Sequence, residues 1–235
     1  MTPDILKKRI IQYLKNDAWH RPKQLGVLEH FWEHLPDSVI FGGMIRDFAL
    51  DFAREFHSDI DIVTLEPSSR LEDVLQPYSP VKNKYGGYRF HNHGYIYDAW
   101  SLNDTWAVKN KLIAAENFED LCHTTFFNLD AIALDFKRKR IYTAPCFHEG
   151  LYEKNLEINL SQHPFPSKIA KKGIYLAAKK QLSIGPNLAN YILNNFSPDK
   201  QDTFYVELVK NMEQHIKRSP GKPFSPHEQL LLNIY

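Results

Sequence analysis

The sequence predicts an α+β fold, strand-rich through its first two-thirds and helical beyond. Three observations carry this expectation. A strand, a glycine turn, a helix and a second strand follow one another between Ser38 and Leu65. Glycine-punctuated strand patterns then continue to about Thr143. From about residue 148 strand signals disappear, and helical patterns separated by Pro186, Ser197-Pro198 and Pro220-Gly221 take over. The expected divisions are N-terminal helices over 1–37, a strand-and-helix domain over 38–147 and a helical domain over 148–235. A chain of 235 residues, 43% hydrophobic and 13% aromatic, suffices for one large or two small cores.

Taken in order, Ile5, Leu6, Ile10, Ile11, Tyr13 and Leu14 recur at helical spacing. Pro22 opens a second helix that Pro36-Asp37 ends. Val39-Ile40-Phe41 is a short apolar strand, Gly42-Gly43 a turn, and Met44 to about Phe56 a helix. Ser58 to Val63 alternates polar and apolar residues, the signature of a half-buried strand. A helix near 71–76 precedes strands around 84–90 and 95–102. Asn103-Asp104 is expected to cap a helix running to about Asn117. Residues 125–135 and 140–143 read as a hairpin with the charged tip Phe136-Lys137-Arg138-Lys139. Helices follow near 167–182, 186–195, 201–217 and 226–234.

The alternation places Asp59 and Asp61 on one strand face and sends Ile60 and Ile62 into a core. Two carboxylates so placed can hold Mg²⁺, which prefers oxygen ligands and, in paired sites, sits roughly 3.5–4 Å from a second ion. Gly42-Gly43 at a helix start bares backbone N–H groups to a phosphate. The turn is neither a Walker loop nor a Gly-x-Gly-x-x-Gly fingerprint.

In this order, Gly42-Gly43-x-x-Arg46-Asp47, a helix and Asp59-x-Asp61 resemble the head domain of class II tRNA nucleotidyltransferases and bacterial poly(A) polymerases. The resemblance covers roughly residues 38–192. It implies a polymerase-beta-like head, a mixed sheet with helices, followed by a helical domain. It also implies that Asp59 and Asp61 are catalytic metal ligands for Mg²⁺ or Mn²⁺, that Gly42 and Gly43 face the triphosphate, and that Arg46 and Asp47 lie near the nucleotide. Asp98, within Tyr95-Ile96-Tyr97-Asp98-Ala99-Trp100, is similarly placed to the third carboxylate of polymerase-beta-like enzymes, a general base or metal ligand. Thr124 to Asp135 is similar to the family segment Arg-Arg-Asp-Phe-Thr-Ile-Asn-Ala-Leu-Ala-Tyr-Asp, which helps fix ribose and phosphates. Thr124, Thr125 and Phe126 replace its Arg-Arg-Asp, and Asp130, which replaces its asparagine, is by the same resemblance an expected nucleotide-binding residue.

Lys171 to Pro186 looks like the family's neck helix. No Glu-Asp-x-x-Arg element, which reads the nucleobase edge in the tRNA enzymes, occurs. Residues 1–160 hold 19 Lys and Arg against 23 Asp and Glu, whereas 161–235 hold 10 against 5, a split that suits a polyanionic acceptor. Lys168, Lys172 and Lys179, at spacings of four and seven, share one helix face and are the expected acceptor-binding residues.

The implied reaction is transfer of an NMP from an NTP, ATP being the first choice, to an acceptor hydroxyl, with an RNA 3′ end, especially of tRNA, as first guess. Three alternatives stay open: a toxin-type transferase acting on a protein hydroxyl, a small-molecule nucleotidyltransferase, and a catalytically silent nucleotide- or RNA-binding module. His91 and His93 read as surface histidines rather than a metal pair. Lys137 to Arg140 read as a solvated tip, and Tyr85 to Phe90 as either a nucleotide-stacking wall or a core hairpin. No Gly-x-Ser-x-Gly elbow points to a hydrolase. Cys122 and Cys146 are expected as reduced thiols. No signal-peptide pattern and no run of 18 apolar residues occurs, so the expectation is a soluble cytoplasmic protein without a membrane partner.

Overall fold

The computed structural model describes residues 2–15, 22–50 and 59–226, and within them the chain forms two compact units. The first takes Met1–Thr125 and Asp130–Ala144, the second Phe126–Leu129 and Pro145–Tyr235.

The first unit begins with α1 (Pro3–Lys15) and α2 (Pro22–His34), continues through β1 (Ser38–Phe41), α3 (Gly43–Ala49) and β2 (Ile60–Thr64), and adds α4 (Ser68–Leu75). Then follow β3 (Val81–Lys82), β4 (Tyr88–Asn92), β5 (Tyr95–Ser101), α5 (Trp106–Lys109), α6 (Phe118–Cys122), β6 (Ile132–Asp135) and β7 (Arg140–Thr143). The strands make one seven-stranded sheet in the order β3-β4-β5-β2-β1-β6-β7. Only β2 and β5 pair in parallel, so the sheet is mixed, as the sequence resemblance implies.

Alternation along each strand sorts the two faces. Ile40, Ile60, Ile62, Phe90, Tyr97 and Ala99 are buried on one. Phe90 is stacked against Tyr97 with centroids 4.9 Å apart and against Phe31 of α2 at 6.2 Å, which puts α2 over this core. In α1, Leu6, Ile10 and Leu14 form the buried stripe that a helical period dictates.

Two expectations for this unit are corrected. Asn103-Asp104 does not start a long helix: residues 102–104 form a 3-10 turn, and α5 is four residues long, because the chain turns left-handed at Lys111 (φ 56°). The cap is instead Asn117, whose side chain accepts from Asp120 N at 2.9 Å to begin α6. Of residues 125–135 only Ile132–Asp135 is strand, since Asn128–Asp130 is a 3-10 turn. α3 spans Gly43–Ala49, and the rest of the helix expected to Phe56 lies outside the described residues.

The second unit contains α7 (Pro145–Glu153), β8 (Asn155–Leu156), α8 (Pro166–Lys179), β9 (Ser183–Ile184), α9 (Pro186–Asn195) and α10 (Thr203–Arg218). The expected helices appear at 166–179, 186–195 and 203–218, while the one expected from 226 lies outside the described residues beyond Pro226. Strand signals do not vanish altogether: β8 and β9 pair in parallel, but two residues are too few to show a period-2 pattern. Glu157 ties this unit together by accepting from Asn187 N at 3.0 Å and Leu188 N at 2.7 Å, which caps α9 with a negative charge. Among the described residues no helix is long and apolar enough to cross a membrane. Cys122 is buried, Cys146 half-buried, and both are free thiols.

Candidate active site

β1 ends at Phe41, and Gly42 follows with φ 66° and ψ −117°, a conformation that L side chains avoid. Its N–H donates to Ile132 O at 2.9 Å, and its carbonyl accepts from Arg46 N at 3.1 Å, so the turn is anchored to β6 and opens α3. Arg46 is buried. Its Nε donates to Asp47 Oδ1 at 2.9 Å and its Nη1 to Asp130 Oδ1. Burial works against the guanidinium's charge, but Asp130 and Asp47 outweigh it and raise its pKa above the ordinary value. Arg46 and Asp47, both buried, and the part-buried Asp130 are thus brought together beside the glycine turn.

The second face of the sheet carries the carboxylates. The register aligns Phe41 with Asp61, Asp61 with Asp98 and Asp98 with Arg89, so four strands contribute one row of side chains. Asp59 lies one step along the same face as Asp61. Arg89 crosses the row: Nε donates to Asp98 Oδ1 at 2.8 Å, and Nη2 donates both to Asp98 Oδ2 and, at 2.8 Å, to Asp59 Oδ2. The hydrogen bonds to Asp98, together with the charges of Asp98, Asp59 and Asp61, push its pKa further above the usual arginine range. The site is open to solvent: the Arg89 side chain is 49% exposed, Asp59 40% and Asp98 19%. Phe41 and Trp100 meet edge to face at 6.2 Å beside the row, with Trp100 Nε1 fixed by Thr105 Oγ1 at 3.0 Å.

In the sequence Arg89 carries no signal of its own beyond standing between Tyr88 and Phe90 in an alternating strand. Those two neighbours settle the open reading of the segment for themselves: both are buried, and Tyr88 Oη donates to Glu72 Oε2 at 2.5 Å. Tyr85 stays half-buried in the preceding turn, its carbonyl held by Lys109 Nζ at 2.7 Å. His91 and His93 are exposed, and among the described residues no three His, Cys, Asp or Glu are arranged as a metal-binding group. Lys168, Lys172 and Lys179 belong to the second unit, exposed on α8 opposite buried Ile169, Ala170, Gly173 and Ile174. Lys168 Nζ lies 5.3 Å from the Phe165 ring centroid and Lys179 Nζ 5.6 Å from that of Tyr175.

No protein-family model matches the sequence, and no curated protein matches it. Solved structures do. A Thermotoga maritima CCA-adding enzyme complexed with tRNA matches with a TM-score of 0.59 at 15% identity, over 96% of this chain and 57% of that one. A CCA-adding enzyme complexed with ATP matches with a TM-score of 0.54 at 16% identity, over 84% of this chain and 48% of that one. The Bacillus stearothermophilus CCA-adding enzyme in complex with CTP gives 0.51 at 16% identity, over 74% and 43%. The fold is the one these CCA-adding enzymes share. This chain spans about half the length of the solved structures it matches. The expected polymerase-beta-like architecture is therefore borne out, and the glycine turn and the carboxylate row occupy neighbouring strand ends of that fold.

Proposed function

We propose that this protein is a nucleotidyltransferase that moves an NMP from an NTP to an acceptor hydroxyl, with an RNA 3′ end, above all that of tRNA, as the acceptor. The observation that carries the reading is the row Asp61-Asp98-Arg89 with Asp59 on the same face, standing one strand from the Gly42 turn. The solved structures with this fold include CCA-adding enzymes with CTP, with ATP and with tRNA.

The three carboxylates are not gathered into a ready metal group, Arg89 standing between Asp59 and Asp98, but they are the hard oxygen ligands that Mg²⁺ or Mn²⁺ takes. Asp59, Asp61 and Asp98 would hold it, and such an ion, when bound, lowers the pKa of an acceptor hydroxyl and neutralises charge on the α-phosphate. The rest of the chemistry belongs to the protein. Gly42, whose own N–H is held by Ile132 O, and Gly43 keep the start of α3 clear of side chains, so that main-chain N–H groups there can meet a phosphate. Arg46, clamped by Asp47 and Asp130, fixes the start of α3 and so the aim of that turn. Asp98 would serve either as the third of those ligands or as the base that takes the acceptor proton. On α8, Lys168, Lys172 and Lys179 supply positive charge for a polyanionic acceptor.

One observation favours a second reading, a silent nucleotide- or RNA-binding module. Phe126, standing where the family segment has its aspartate, is buried with its ring 4.9 Å from both Phe127 and Tyr191 and is given over to packing. Incubation with each of four α-labelled NTPs, Mg²⁺, cellular RNA and cellular protein separates the two. Label entering RNA supports the first reading; nucleotide binding with no transfer from any NTP to any acceptor supports the second.

A further inference from the structure

Arg89 occupies the space in which a cation would meet Asp59 and Asp98. Its three hydrogen bonds to those carboxylates are charge-assisted, and it reaches them from β4, the strand beside the one that carries Asp98. Tyr88 and Phe90, its neighbours in the strand, are locked in the core, so the arginine's base cannot shift, whereas its head is half exposed and free to rotate about its own bonds. A guanidinium and a divalent ion cannot share the same carboxylate oxygens.

Building on the proposed function, we infer that Arg89 is the resident counter-ion of the carboxylate row, and that a divalent cation binds by displacing it. Metal entry then requires the guanidinium to find a new anionic partner, and the phosphates of an incoming nucleotide are the group of matching charge and geometry. Arg89 therefore makes metal and nucleotide bind together rather than separately: without nucleotide it competes with the ion, and with nucleotide it changes sides and holds a phosphate. Such coupling is reciprocal, so metal must tighten nucleotide binding by the factor by which nucleotide tightens metal binding.

The test is binding of Mn²⁺ alone, followed by electron paramagnetic resonance of the free ion at constant ionic strength, with the full-length protein and its R89Q and R89K variants. The expected result is that R89Q binds Mn²⁺ about tenfold more tightly than the parent, with R89K between them because an ammonium keeps the charge but loses the planar fork. With a non-hydrolysable α,β-methylene NTP present, the parent gains Mn²⁺ affinity and R89Q gains little. Equal Mn²⁺ affinity in parent and R89Q would overturn the inference while leaving the metal site in place. If neither protein binds Mn²⁺, with or without the analogue, the metal site assumed under the proposed function falls, and the inference with it.

Discussion

Arg46 and Asp130, 84 residues apart in the chain, form an ion pair beside the glycine turn, with the guanidinium buried and the carboxylate mostly so. Asp130 stands where the similar family segment carries asparagine, and here its carboxylate accepts from the guanidinium. The pair links the start of α3 to the turn that leads into β6.

Removing one member of a buried pair costs more than the pair contributes, since the remaining charges lose their partner. Arg46→Met, which strands Asp47 and Asp130, is expected to destabilise the protein by about 3–5 kcal/mol. Asp130→Asn, which leaves Asp47 in place and still accepts from the guanidinium, should cost distinctly less. Urea denaturation of both variants and of the double variant measures the coupling; additive losses would show that the two side chains do not act as a unit.

Asp59→Asn and Asp61→Asn should each abolish nucleotidyl transfer while changing stability by no more than about 1 kcal/mol, because neither side chain is part of the core. Parallel label-transfer assays and thermal melts check both halves of this statement. Retained turnover in either variant removes that residue from the metal-ligand set.

Gly42→Ala isolates backbone strain from steric clash. A Cβ at this position would meet Asp130 O at 3.7 Å and Asp130 Cβ at 3.9 Å, both ordinary contacts, but the φ of 66° with ψ of −117° is a glycine conformation. A loss of about 1–3 kcal/mol is expected from the strain alone, accompanied by weaker nucleotide binding measured by calorimetry. Unchanged nucleotide affinity in a folded variant would move the triphosphate away from this turn.

His163 provides a pH signature in the second unit. Burial, and secondarily the charge of Lys172, depress its pKa below the ordinary 6.5, and its Nδ1 accepts from Phe165 N at 3.0 Å. A histidine whose folded pKa lies below its unfolded value stabilises the fold least when protonated. Its stabilising effect is fully present above about pH 6.5 and is lost as the pH falls below that value towards and through the folded pKa. Melting temperature should therefore drop more steeply below pH 6.5 in the parent than in His163→Asn, and identical pH profiles would contradict the assignment.

The α8 lysines are testable by salt. If RNA lies along Lys168, Lys172 and Lys179, replacing all three with Ala should weaken RNA binding and flatten its log–log salt dependence by roughly 0.7–0.9 per lost contact, with NTP affinity nearly unchanged. Filter-binding titrations of the two proteins with the same RNA give the slopes. Equal slopes would mark the stripe as a solvated face.

What could be read from the sequence follows from locality. Asp59 and Asp61 were legible because a strand's period of two is a property of neighbouring residues, and Gly42 because a turn before a helix has few substitutes. Arg89 was not, because its role depends on the register by which β4 meets β5, and register is set by pairing across the sheet. Asp98 became visible only through resemblance for the same reason. The overlong helix after Asn103 failed on chemistry: the Asp104 carboxylate is engaged by Ser68 Oγ and by Lys109 Nζ, and the true cap, Asn117, lay with Asp120 three residues on as a local signal that was passed over. β8 and β9 are too short to announce themselves.

The four residues Phe126–Leu129 belong to the second unit although first-unit residues flank them on both sides. Their backbone and side chains complete that unit: Asn159 N donates to Phe126 O at 2.7 Å, Asn128 N to Glu157 O at 2.9 Å, and Glu157 N to Asn128 Oδ1 at 2.9 Å. Glu157 is in turn the cap of α9. A gene fragment starting at Pro145 would therefore encode an incomplete unit, with the loop that positions the α9 cap deprived of its partners.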